Sequence, residues 1–191
     1  MPNVEQSGLI LALADALRKQ GSWAGETHVQ KAGYLLQHLL HVPIGVRYIL
    51  YKHGPFSFDL RGAISEMEGD DLIRWEPKPY PYGPSLQPGP NAPYILATSR
   101  SPRAFQDQIT FTAEKLSGKN VAALERLATA LYVSLEVGVS PAYRAQRIHS
   151  LKPHVSLQQA EVAVDEIDEI RVEAEHRHLV VAENRLCGSP Q

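Results

Sequence analysis

The fold is decided by residues 46–57, VRYILYKHGPFS, in which a strand, a turn and the start of a helix follow one another. Residues 46–51 are β-branched and aromatic, and their length is too short for a helix, so the pattern predicts a strand. Gly54 and Pro55 are interpreted as the structural turn that ends it. Ser57 is expected to cap the following helix, whose buried face is predicted at Leu60, Ile64 and Met67.

Two helices are predicted before this strand. The first has apolar residues at helical spacing and ends at Gly21. The second is expected to begin with Thr27 as its N-cap and with Gln30 in the third position of a capping box. Its predicted buried stripe runs through Val29, Gly33, Leu36 and Leu40.

A proline-rich stretch follows the third helix. Residues 72–75 have strand character, and residues 77–93 contain seven of the chain's fourteen prolines, so we expect an exposed loop there. Residues 93–98 regain strand character. The simplest geometry pairs 72–76 with 93–98 as an antiparallel hairpin whose tip is the proline-rich loop.

The predicted order helix–helix–strand–helix–strand–loop–strand is that of a winged helix. Helices are predicted from residue 101 onward, with Asn120 and Ser156 as caps and with Ser140-Pro141 opening a short helix. The fold class is therefore α+β and mainly helical. We expect a winged-helix-like region over 1–100, a C-terminal helical part over 101–183 that packs on it as a bundle, and a disordered tail over 184–191.

Composition narrows the function classes. The 191 residues carry a net charge of −2, so there is no global attraction to nucleic acid or to an anionic membrane. A single cysteine, Cys187, excludes an internal disulfide, and no apolar run approaches the length of a membrane span. The first residues show no basic segment before an apolar stretch, so we expect no signal peptide and a cytoplasmic location.

Three segments resemble one known family. Residues 29–36, VQKAGYLL, resemble the helix "LQKLLYF" of the Panacea, or SocA-like, domain, and residues 51–57, YKHGPFS, resemble its turn "Y-x-HGPYS". Residues 59–73 are similar to its "EL…L…L…dGLI" helix and strand, and bacterial YwgA-type proteins are similar in the same places. The resemblance covers about residues 9–76. It departs from the family at the proline-rich loop and at the acidic last helix.

The resemblance implies a protein-binding role. Members of the family are implied to act as antitoxins or proteolytic adaptors, or to lie near phage-defence genes, with no established catalytic residues. A partner, either a toxin or a protease component, is expected to dock on the 29–40 helix, the 51–58 turn and the proline-rich loop. The candidate contacts are Lys31, Tyr34, His53, Phe56, Tyr80 and Tyr82, because large side chains of these types can anchor an interface. The alternative, that Tyr34 and Phe56 simply fill the core, stays open.

Catalytic and metal sites were weighed against simpler interpretations. His53, Ser57 and Asp59 lie close in sequence, but no pattern places the imidazole between the serine and the carboxylate, so a helix cap is favoured. His176 and His178 are two apart on a helix and face different sides, which makes them poor joint ligands. We expect no catalytic residues, no metal and no cofactor, although an enzyme with a site assembled from scattered residues stays open.

DNA binding is the main alternative. The third helix would read DNA in a winged helix, yet its predicted exposed positions and the two residues after it are rich in carboxylates (Asp59, Glu66, Glu68, Asp70 and Asp71). Carboxylates repel the phosphate backbone. The leading hypothesis is therefore a non-enzymatic protein-interaction module, with a winged-helix transcriptional regulator as the alternative. The oligomeric state and the partner stay open.

Overall fold

A computed structural model describes residues 3–79, 83–136 and 140–182 of the chain. Its described helices are α1 (Val4–Lys19), α2 (Glu26–His38), α3 (Phe58–Gly69), α4 (Ala92–Thr98), α5 (Ser101–Ala104), α6 (Gln106–Leu116), α7 (Val121–Ser134), α8 (Pro141–Leu151) and α9 (Leu157–His176). Its described strands are β1 (Ile49–Tyr51), β2 (Gly54–Phe56), β3 (Ile73–Glu76) and β4 (Ser85–Pro88). The prediction of a mainly helical protein with a small antiparallel β-component is confirmed.

Polar side chains cap several helices as predicted. Ser57 accepts a hydrogen bond from the N–H of Leu60, and Asn120 accepts one from Ala123. Ser156 forms a full capping box with Gln159 at the start of α9. These short-range contacts satisfy backbone donors that the first helical turn leaves free.

The predicted cap of α2 is wrong. Gly25, not Thr27, is the N-cap, and no side chain caps this helix. Gln30 does not reach back to the helix terminus because its amide bonds both the N–H and the C=O of Ser57, 27 residues away. A long-range partner thus replaces the local one that the sequence suggested.

The strands form two separate antiparallel hairpins. β1 pairs with β2, with Tyr51 opposite Gly54, and β3 pairs with β4, with Trp75 opposite Leu86. The other side of β4 is held by the α1–α2 loop, because the N–H of Leu86 donates to the C=O of Ala24. Residues 85–88, predicted to be exposed loop, are therefore a strand whose first two residues are buried.

The predicted strand at 93–98 is wrong, as is its pairing with 72–76. These residues form α4, with Pro93 in the first turn, where its missing N–H costs nothing. Ile95 packs into the core, and α4 contacts α1. A short apolar run suits either a strand or a helix turn, and the tertiary contact with α1 decides between them.

The predicted strand at 46–51 is shorter in the structure. Only residues 49–51 pair, because the backbone N–H and C=O of Val46 bond the side-chain amide of Gln37 on α2. Val46 is buried in this position. The amide of Gln37 thus takes the place of a neighbouring strand.

The core crosses the boundary near residue 100. Helices α1 and α2 pack against α6 and α7, and α8 and α9 pack against α7. The predicted buried residues of α3 are confirmed, with Leu60, Ile64 and Met67 at most 3% exposed. The tip of the proline-rich loop and the predicted tail over 184–191 lie outside the described residues.

Candidate docking site at the β1–β2 hairpin

The turn between β1 and β2 approaches α7 closely. Gly54 has φ +81°, and a Cβ there would lie 3.0 Å from the Thr129 hydroxyl and 3.3 Å from the C=O of Glu125. Both the left-handed backbone and the lack of space require glycine. The prediction that Gly54 and Pro55 form the turn itself is wrong: they pair with Tyr51 and Leu50 as the start of β2, after a turn at residues 52–53. Gly54 instead docks the hairpin onto α7.

Helix α2 holds the hairpin from one side. Gln30 bonds the backbone of Ser57, and the Lys31 ammonium donates to the C=O of Pro55 at 2.7 Å. Lys31 is only 2% exposed. Burial lowers the pKa of Lys31 to about 8, an effect that the nearby Glu125 carboxylate opposes and Lys152 reinforces.

Lys152, which follows α8, holds the hairpin from the other side. Its buried ammonium donates to the C=O of Tyr51 at 2.8 Å and also to the C=O of Lys52. These carbonyls belong to the end of β1 and the turn, about a hundred residues away in sequence. Two lysines therefore satisfy carbonyl groups that a two-stranded hairpin leaves unpaired.

The Glu125 carboxylate lies at the centre of these cations. Its side chain is 9% exposed, and the Lys152 ammonium is 3.5 Å from Oε1. His53 Nδ1 lies 3.4 Å from Oε2, and His154 Nε2 lies 3.6 Å from Oε1. Oε1 accepts no hydrogen bond from the described residues. The buried Glu125 side chain is thus contacted by the Lys152 ammonium and by two imidazoles, which form ion pairs with it only when they are protonated.

A cavity of about 660 Å³ opens beside this cluster. Apolar side chains of β1, α7 and α8 form part of its wall, namely Leu50, Ala122 and Leu151. Its polar lining comes from Lys52, His53, Glu125, Lys152 and His154. Both imidazoles are more than half exposed at its mouth.

An aromatic surface adjoins the cavity. We define it as Ile49, Tyr51, Phe56 and Phe58, and Tyr51 also lines the cavity. The Tyr51, Phe56 and Phe58 rings contact one another with centroids 5.1–5.9 Å apart, and the Arg61 guanidinium lies over the Phe56 ring. Ile49, Tyr51 and Phe58 are 49%, 54% and 53% exposed, which makes this a continuous apolar patch.

The structure places the predicted contact residues in different environments. Phe56 lies partly buried within the aromatic surface and His53 lies at the cavity mouth, so these two are brought together. Lys31 and Tyr34 were expected on an exposed face of α2, and this exposure is wrong: both are at most 2% exposed, and Tyr34 packs against the rings of His38 and Tyr48. Tyr80 and Tyr82 lie outside the described residues.

Three site residues were missed in the sequence. Glu125, Lys152 and His154 belong to α7 and to the α8–α9 connection, and they share no local motif with the hairpin. In the sequence, each of the three is most simply interpreted as a solvent-exposed polar or charged side chain. Only the packing of α7 and α8 brings them to residues 51–53.

The interpretation of Ser57 as a helix cap agrees with its position. Ser57 is fully buried and caps α3, while His53 faces Glu125. Asp59 accepts a bond from the backbone N–H of Arg47, which lowers the pKa of Asp59, and also contacts the Arg47 side chain. The described residues hold no group of three or more histidine, cysteine or acidic side chains arranged for a metal ion.

Comparison with known proteins leaves the family undetermined, because no protein-family model matches the chain and no curated protein matches its sequence. Among the helices of the described ranges, none combines the length and the apolar character required to cross a lipid bilayer.

Proposed function

We propose that this protein is a non-enzymatic protein-interaction module that binds its partner through the aromatic surface. The observation that carries the proposal is the exposure of Ile49 and Tyr51 on a short hairpin beside Phe58 at the start of α3. Aromatic anchors supply much of the binding energy at protein interfaces. The largest contiguous apolar patch on a protein surface is often a recognition site.

The rigidity of the hairpin supports the proposal. Gln30, Lys31 and Lys152 bond its backbone from two sides, and Gly54 fits directly against α7. A surface held in one conformation loses little entropy when it binds. The aromatic rings are therefore displayed before the partner arrives.

The resemblance to the Panacea domain supplies the finer part of the proposal. Residues 51–57, which resemble the family's turn, form the hairpin that carries the aromatic surface. We infer an antitoxin-like or proteolytic-adaptor-like role in the bacterial cytoplasm, with a toxin or a protease component as the partner. We also infer a winged-helix-like arrangement of α1–α3, in which β3–β4 takes the place of the wing.

Phe58 and Tyr94 offer a matched test of the docking surface. Both are exposed aromatic residues, but Tyr94 lies on α4, outside the aromatic surface. The partner captured with the tagged protein in cells would be identified, and its affinity would then be measured. We expect Phe58→Ala to cost about 2 kcal/mol of binding, roughly thirtyfold in Kd, with nearly unchanged melting temperature.

Tyr94→Ala is the control and should bind like the wild type. Partner binding that survives Phe58→Ala but is lost in Tyr94→Ala would place the interface elsewhere and reject the proposal. Comparable melting temperatures of both variants would exclude unfolding as the cause of lost binding.

The alternative, a winged-helix regulator, is disfavoured by the charge of α3. Its exposed side chains include Asp59, Glu66 and Glu68, and Arg61 pairs with Glu26. A gel-shift assay at physiological salt separates the two functions. Nanomolar binding of one duplex in preference to a scrambled duplex would favour the regulator.

A further inference from the structure

The cavity beside Tyr51 has a charge opposite to that of the whole chain. Two lysines line it against the single carboxylate of Glu125, and two histidines, which add positive charge only when protonated, lie at its mouth. That carboxylate is buried and is already contacted by Lys152, His53 and His154. Lys52 is exposed and forms no ion pair with any described residue. Positive charge at the cavity mouth is therefore left uncompensated, although the net charge of the chain is −2.

The apolar and basic features lie side by side. Tyr51 belongs to both the aromatic surface and the cavity wall, and His53 follows it by two residues in the same turn. On the opposite flank of the aromatic surface, Phe58 is followed by Asp59 at the start of α3. That carboxylate is already paired with Arg47, and Arg61 of α3 is paired with Glu26, so the α3 flank is compensated whereas Lys52 on the cavity flank is an exposed cation without an ion pair to any described residue.

We infer that the partner docks with an acidic segment that carries an apolar anchor, an inference that rests on the proposed function of the aromatic surface. The apolar side chain packs on Tyr51 and Phe58. The carboxylates lie toward Lys52, His53 and His154 at the cavity mouth. Because the arginines on the α3 flank, Arg47 and Arg61, already pair with Asp59 and Glu26, the carboxylates of the segment are attracted to the Lys52 flank, which sets the direction of the bound segment.

An acidic peptide segment fits better than nucleic acid. A nucleic acid strand also carries negative charge and also stacks on aromatic rings. Its phosphates repeat along the whole strand, however, so those beyond the cavity would meet exposed carboxylates of α3 such as Glu66 and Glu68. A short acidic segment needs complementary charge only at the cavity mouth.

The test uses the full chain and synthetic fluorescein-labelled probes. The main probe is a short peptide in which leucines are followed by a run of glutamates. One control peptide carries lysines in place of the glutamates, another carries serines in place of the leucines, and an oligothymidylate tests nucleic acid. Fluorescence anisotropy gives the affinity of each probe at low and at physiological salt.

We expect the leucine–glutamate peptide to bind most tightly and to weaken as salt rises. Lys52→Glu should weaken it about tenfold, because a nearby attraction becomes a repulsion, and Tyr51→Ala should weaken it by a similar factor. Lys19→Glu is the matched control, since Lys19 is exposed on α1 and does not line this cavity. It should leave the affinity unchanged.

Several results would overturn the inference: no binding of the acidic peptide, equal or tighter binding of the lysine peptide, or unchanged affinity in Lys52→Glu. Tighter binding of the oligothymidylate would assign the surface to nucleic acid instead. The proposed function fails separately, through the cellular partner. If Phe58→Ala abolishes partner binding while the peptides show no charge preference, the docking surface stands and only the acidic character of the partner is rejected.

Discussion

At the scale of single residues, Lys31 shows how a polar side chain serves the core. It lies in the 29–36 stretch that resembles a family motif, where a lysine suggests a surface contact. In the structure it is buried because the C=O of Pro55 needs a donor that the hairpin does not supply. Its aliphatic stem packs in the core as an apolar side chain would. The nearby Glu125 carboxylate offsets part of the free-energy cost of burying its charge.

Lys31 should make stability depend on pH in the alkaline range. Its pKa is about 8 in the folded protein and near 10.4 in the unfolded chain. Between these values the unfolded chain binds more protons, so stability rises with pH. Below pH 8 the penalty of the buried charge is present in full. We expect the wild type to gain on the order of 1–2 kcal/mol relative to Lys31→Met between about pH 7.5 and 9.5.

Urea unfolding of both proteins across this range measures the difference. Tyr34 and Tyr48 do not interfere, because burial raises the pKa of each phenol above its usual value near 10. Lys19→Met at an exposed site is the control and should follow the wild type. Parallel pH profiles for the wild type and Lys31→Met would show that the Lys31 ammonium is not desolvated as described.

At the scale of elements, the segment after the proline-rich loop is decided by its contact with α1. A Cβ at Gly8 would lie 2.3 Å from the Ser99 hydroxyl, so glycine lets α1 approach the α4–α5 junction. Glu5 of α1 accepts bonds from the Ser99 hydroxyl and from the N–H groups of Arg100 and Ser101. Glu5 on α1 thereby caps α5, a helix of one turn that is too short to be stable alone.

Removing the charge of Glu5 should loosen this junction. The hydroxyl and N–H of Ser101, with the neighbouring donors, lower the pKa of Glu5 to about 2. Its contribution is therefore present above the unfolded value near 4.3 and is lost as pH falls toward 2. A lost cap costs about 1 kcal/mol, so Glu5→Gln should lower the melting temperature by about 2–4 °C at neutral pH.

Thermal melts at neutral pH and near pH 2.5 test this expectation. The difference between Glu5→Gln and the wild type should shrink in acid, because the wild-type carboxylate is then partly protonated. Glu161→Gln on the exposed face of α9 is the control. A difference that is the same at both pH values would assign the effect to side-chain shape and not to charge.

At the scale of the whole molecule, the Lys152–Glu125 pair connects the hairpin to the C-terminal helices. Lys152 bonds Tyr51 and Lys52 and lies 3.5 Å from Glu125. Replacing it with methionine would leave two carbonyls and a buried carboxylate without this partner. We expect Lys152→Met to destabilise the protein by about 3–5 kcal/mol, the usual cost of breaking a buried ion pair.

A double-mutant cycle isolates the charge interaction. Adding Glu125→Gln removes the carboxylate that Lys152→Met leaves without its lysine partner. The double variant should therefore be more stable than Lys152→Met alone. Chemical denaturation gives the four free energies of unfolding. If the two substitutions are simply additive, the lysine acts through the hairpin carbonyls alone and the buried ion pair contributes nothing.

The sequence alone determined the helices whose starts are specified by short-range chemistry. Apolar spacing located α1 and α3, and Ser57, Asn120 and Ser156 marked helix starts correctly, because a cap bonds within three residues of itself. The end of β1 was also predicted, but the pairing with β1 that makes Gly54 and Pro55 part of β2 was not. The hairpin segment was also singled out as a candidate contact region.

Tertiary structure alone decided the strand pairing and the composition of the candidate site. Residues 93–98 became a helix through contact with α1, and residues 85–88 became a strand because Ala24 and β3 bond its two edges. Glu125 and Lys152 meet the hairpin only after α7 and α8 have packed. Such contacts join residues that are far apart in the chain. A local sequence pattern does not indicate which distant group will pair with a buried charge or bond a free carbonyl.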